Sequence, residues 1–88
     1  MKLLVKKAVL LNRLSFIKEM AASRFCRYTL YKSGSIIQLA ATNEDGTQFT
    51  LGTSAGQPRA WTDMNNPIRF LSEFGVSNFD VIIEEESC

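Results

Sequence analysis

The chain contains no histidine. The side chain that most often serves as a base near neutral pH is therefore missing, and Ser–His–Asp and Cys–His arrangements are excluded. Cysteine occurs only at Cys26 and Cys88, too few and too far apart for a zinc site or a disulfide framework. Cys26 reads as a small apolar residue within a strand, and two unpaired thiols suit a reducing cytoplasm. Apolar runs are short as well. Leu3-Leu4-Val5 is interrupted by Lys6 and Lys7 before residues 8–11 resume it, too brief for a secretion signal and far below the ~20 residues of a membrane span. A cytoplasmic protein without a membrane partner is the expectation. Gly52 and Gly56 belong to neither a Walker nor a dinucleotide-binding motif. Glu84, Glu85 and Glu86 read as a solvated tail rather than a metal site. The sequence therefore points away from an enzyme and implies no cofactor and no metal.

What remains suits one small globular domain spanning residues 1–88. Apolar residues make up 45% of the chain and charged residues 22%, which is enough apolar surface to offset the ordering entropy of folding. A core this small makes a homodimer a reasonable expectation, since a second copy covers what one copy leaves exposed.

The net charge of +1 conceals an uneven distribution. Residues 1–32 carry Lys2, Lys6, Lys7, Arg13, Lys18, Arg24, Arg27 and Lys32 against Glu19 alone, a local charge of +7. Residues 33–88 carry Arg59 and Arg69 against eight acids, a local charge of −6. Two readings follow. The basic part attracts phosphates, or the two parts pack together and neutralise each other.

The middle of the chain predicts a β-meander. Residues 24–32 (RFCRYTLYK) are rich in strand formers, Ser33-Gly34 is a hairpin turn signal, and residues 35–42 (SIIQLAAT) alternate. Residues 43–46 (NEDG) form a second turn, and residues 47–52 (TQFTLG) alternate again. Residues 59–61 (RAW) fit a short edge strand. A helix is expected at about residues 66–74, with Asp63 or Asn66 as N-cap, Pro67 in its first turn, Ile68, Leu71 and Phe74 on one face, and Gly75 just beyond its end. Residues 78–84 (NFDVIIE) read as a last strand. Residues 14–20 (LSFIKEM) alternate like a strand, although residues 15–23 also contain good helix formers; the strand is the reading adopted. Residues 1–12 are left as a further strand, a flexible arm or a dimer contact. The expected fold is α+β, an antiparallel β-meander of four to five strands with one packed helix and a final strand after it.

One constellation has functional promise. Arg24, Phe25, Arg27, Tyr28, Tyr31 and Lys32 interleave bases and aromatics along a strand, with Lys18 nearby. Aromatic faces stack on nucleobases while basic groups follow phosphates. Lys18, Arg24, Arg27, Tyr28, Tyr31 and Lys32 are therefore candidate nucleic-acid contacts. The plainer reading is a strand with core aromatics and solvated bases. Trp61 beside Arg59 is a second candidate patch, the alternative being a tryptophan packed on the helix.

Residues 45–83, through the turn LGTSAGQPRAW, the helix RFLSEFGV and the strand NFDVII, resemble small ParC-family accessory proteins encoded beside plasmid partition genes. The Asn66-Pro67 step departs from the smooth helix start expected of that family. The resemblance implies a bacterial, plasmid-linked setting and supplies no functional residues. The functional expectation is a non-catalytic accessory protein of plasmid or mobile-element maintenance that binds nucleic acid, such as single-stranded DNA, or a partition protein. The alternative is a protein-interaction or homodimerisation module that binds no nucleic acid.

Overall fold

The computed structural model describes residues 3–84. The chain runs β1 (Val9–Asn12), α1 (Arg13–Ala21), β2 (Phe25–Ser33), β3 (Ile36–Asn43), β4 (Gln48–Gly52), α2 (Asn65–Glu73) and β5 (Asp80–Glu84). It is an α+β fold with one five-stranded sheet in the order β1-β4-β3-β2-β5. Strands β2, β3 and β4 form the expected antiparallel meander. The sheet as a whole is mixed, which corrects the purely antiparallel expectation: β1 lies parallel to β4, and β5 lies parallel to β2. The cause is the helices. Each returns the chain to the end from which the preceding strand began, so β1 and β2 run the same way, as do β4 and β5.

The described residues form two helices, not one. Residues 14–20, expected as a strand, lie within α1. Alternation and helical spacing coincide there, and the helix prevails because Phe16 and Met20, four residues apart, both reach the core. Both ends of α1 are capped. Asn12 Oδ1 accepts from Ser15 N at 2.8 Å. At the other end Ser23 N donates to Met20 O and Arg24 N to Glu19 O, with Ser23 at φ +55°. That is a Schellman closure made without glycine.

Helix α2 begins one residue earlier than expected. Asp63 Oδ1 accepts from Asn65 N at 2.9 Å. Pro67 is the third helical residue, and Ile68 N is the first to bond back to Met64 O. Pro67 thus occupies a position whose N–H would have no helical partner anyway. Gly75, at φ +78°, ends the helix, with Gly75 N donating to Ser72 O and Val76 N to Leu71 O. Leu71 is fully buried and Ile68 partly so, while Phe74 is 38% exposed and packs on Phe70 with centroids 5.1 Å apart.

The core lies between the helices and one sheet face. It joins Phe16 and Met20 of α1 and Leu71 of α2 to Phe25, Leu30, Ile37, Leu39, Ala41 and Leu51. A bulge between Phe25 and Arg27 turns Phe25 onto the same face as Tyr28 and Leu30. Without it, strict alternation would send Phe25 to the opposite face with Arg27 and Tyr31. The opposite face carries Thr29, Gln38, Ala40 and Thr50, all buried. Leu4 N donates to Gln38 Oε1 at 2.9 Å, which brings the N-terminal segment onto that face. Among the described residues, no helix is long and apolar enough to cross a membrane.

Candidate functional site

The basic strand proposed from the sequence is dispersed by the fold. Lys18 is exposed on α1. Arg24 follows α1 and lies 3.4 Å from Glu19. Arg27 lies 3.7 Å from Asp80 of the neighbouring strand. Lys32 Nζ donates to Gly34 O. Tyr28 and Tyr31, three apart on β2, fall on opposite faces of the sheet. Tyr28 sits on the helix-covered face, edge-on to Phe25 at 5.8 Å, and its burial pushes the phenol above its ordinary value of 10.0. Tyr31 OH accepts from Gln48 Nε2 at 3.4 Å. Of the six residues, Arg27 and Tyr31 alone share the second sheet face. Cys26, at the bulge, lies in a strand as expected but is exposed, with Sγ 3.4 Å from Thr42 O. Cys88, Glu85 and Glu86 lie outside the described residues.

A different group is brought together. Between the first turn of α1, the exit of β4 and one flank of α2 lies an open cleft of about 650 Å³. Arg13, Arg59 and Arg69 line it, with Trp61 and Phe70. Arg59 and Arg69 are the only two bases of the acidic part of the chain, and here they meet a base from the other part. Sequence separation hid this grouping; the pairing of Arg59 with Trp61 was its one visible trace.

Backbone pairing holds the cleft open. The expected edge strand at residues 59–61 is reduced to two bridges, Gly52 with Pro58 and Ile37 with Trp61. Arg59 N donates to Leu51 O at 2.8 Å, and Trp61 exchanges two hydrogen bonds with Ile37. Arg59 and Trp61 are therefore anchored to the ends of β4 and β3. The guanidinium of Arg59 lies 5.5 Å from the Trp61 ring centroid, and that of Arg13 lies 5.9 Å from the Phe70 centroid. Such stacks orient the guanidinium planes and leave their edges to hydrogen-bond. Trp61 packs against the core, as the plainer reading of that residue expected, and also lines the cleft.

The electrostatics are one-sided. Arg13 occupies the first turn of α1, where a positive charge opposes the helix dipole. Neither helix has an acid in its first turn. Glu73 is the one carboxylate lining the cleft, and neither ion pair found among the described residues involves Arg13, Arg59 or Arg69. Three planar cations beside two aromatic rings suit an anion with an attached flat ring. Among the described residues, no group of three His, Cys, Asp or Glu side chains could hold a metal ion.

No family model matches the chain, and no curated protein matches it.

Proposed function

We propose that this protein is a non-catalytic binding module for single-stranded nucleic acid, engaged at the arginine–aromatic cleft. The observation that carries the reading is the convergence of Arg13, Arg59 and Arg69 with Trp61 and Phe70 on one open cleft. Phosphates pair with the guanidinium edges, and a base stacks on the open part of a half-buried ring or on a guanidinium plane. The cleft is open and short, so it takes one or two nucleotides rather than a duplex. Arg27 and Tyr31, on the second sheet face, are secondary contacts in this reading. The role that fits is an accessory one in plasmid or mobile-element maintenance, in line with the sequence resemblance.

Titration of the protein with single- and double-stranded oligonucleotides at two salt concentrations tests the reading. Binding of the single strand, weakened by salt and by Arg59→Ala, supports it. A second reading, a protein-interaction module without nucleic-acid binding, is favoured by the exposed apolar strand β5. Absence of any oligonucleotide shift at low salt would move the assignment there.

A further inference from the structure

The two edges of the sheet are unlike. β5 forms one edge and β1 the other. All five residues of β5 are exposed, with Val81 at 44%, Ile82 at 42% and Ile83 at 64%. Val81 and Ile83 continue the helix-covered face beside Leu30 and Lys32, and Ile82 continues the opposite face beside Tyr31. Natural edge strands are normally protected by inward charges, proline, bulges or a covering element. Among the described residues, β5 has none of these along its apolar centre. Its charges sit at its ends and both are acidic: Glu84, and Asp80, which lies 3.7 Å from Arg27 of β2. β1 is the complement. It is flanked by Lys6 and Lys7 before it and Arg13 after it, and it exposes Val9 by 47%.

We infer that the β5 edge of one molecule pairs with the β1 edge of a second copy, joining their sheets head to tail. Charge complementarity selects this occupant. Two β5 strands placed antiparallel about Ile82 would set Asp80 opposite Glu84 of the partner, and like charges directly opposite destabilise a strand pair. The β1 edge offers bases at both ends and apolar residues between them. Strands β1 and β5 run in the same direction within one molecule, so parallel pairing keeps every helix on one side of the joined sheet. Val9 then meets Val81 and Ile83 on that side, and Leu10 meets Ile82 on the other. A head-to-tail contact makes a ring if its rotation closes and a chain if it does not. With β1 only four residues long, the contact is short and the association reversible.

The experiment measures mass in solution by sedimentation and light scattering for the wild-type chain, Val9→Glu, Ile83→Lys, and an equimolar mixture of the two variants. Circular dichroism melting first confirms that each variant is folded, which its exposed position favours. The expected result is a wild-type mass that rises with protein concentration and falls with salt. Each variant alone is monomeric, and the mixture regains association, because the intact β5 of Val9→Glu meets the intact β1 of Ile83→Lys. A wild-type protein that is monomeric at every concentration overturns the inference. So does a Val9→Glu variant that self-associates like wild type, which would assign the contact to β5 against itself. The readout is independent of nucleic-acid binding, so this inference and the proposed function fail separately.

Discussion

Asn12 and Gly52 are partners in the parallel pairing of β1 with β4. A Cβ at Gly52 would stand 2.9 Å from Leu10 Cδ1 and 3.0 Å from Leu11 O. The bare backbone at Gly52 thus sets how closely β1 approaches, and Asn12 in turn caps the helix that begins with Arg13. The position of one cleft arginine therefore depends on a glycine that lines the same cleft. Gly52→Ala should destabilise the fold by about 1–3 kcal/mol, since a backbone oxygen cannot yield as a side chain can. Urea unfolding checks it, and a change under about 0.5 kcal/mol would show that β1 has slack.

Ser23 closes α1 in the left-handed region at φ +55°, where an L side chain is strained and glycine is not. Ser23→Gly should raise stability by up to about 1 kcal/mol, with the smaller folding entropy of serine offsetting part of the gain. Asn12→Ala should lower it by about 0.5–2 kcal/mol through loss of the bond to Ser15 N. A destabilising Ser23→Gly would contradict the Schellman closure.

Much of this architecture is legible before any coordinates. The turns at Gly34 and Gly46, both at positive φ, the meander between them, Gly75 beyond α2 and the strand that follows were all marked by residue type. Residues 14–20 misled because alternation at period two and the Phe16–Met20 spacing of a helix coexist in seven residues. The helix cap that supports the helical choice, Asn12, lies outside that window. The bulge at Phe25 was invisible because one extra residue leaves no compositional sign, yet it changes the face of every residue before it. The cleft was hidden for another reason. Arg13 reaches Arg59 and Arg69 through the parallel pairing of β1 with β4, two segments far apart in the chain.

Leu71 is the fully buried anchor of α2. Leu71→Ala should cost about 2–5 kcal/mol, the usual range for a buried leucine whose surroundings relax little. Phe74→Ala, at a partly exposed position, should cost clearly less. Equal losses would mean that the helix is rotated relative to the face described above.

Tyr28 carries a pH prediction. Burial raises its phenol above 10.0, so the folded state holds the proton more tightly than the unfolded chain. The associated stability is fully present below pH 10.0, the unfolded value, and is lost as pH rises through the folded value. In a Tyr31→Phe variant Tyr28 is the sole tyrosine, and its absorbance titration should have a midpoint above 10.0. A midpoint at or below that value would place the ring in solvent and contradict its packing on Phe25.

Trp61 is the only tryptophan in the chain and lines the cleft, so its fluorescence reports directly on occupancy. The decisive measurement is its quenching by a short single-stranded oligonucleotide across a range of salt, in wild type and in Arg59→Ala/Arg69→Ala. Saturable quenching is predicted, with log affinity falling against log salt at a slope near −2 if all three arginines meet phosphates, at about 0.7 per contact. The double variant should retain the fold, bind more weakly and show a slope of about −0.7, one remaining contact. Unchanged fluorescence at low salt, or binding whose affinity and slope survive loss of both arginines, would contradict the cleft as the nucleic-acid site.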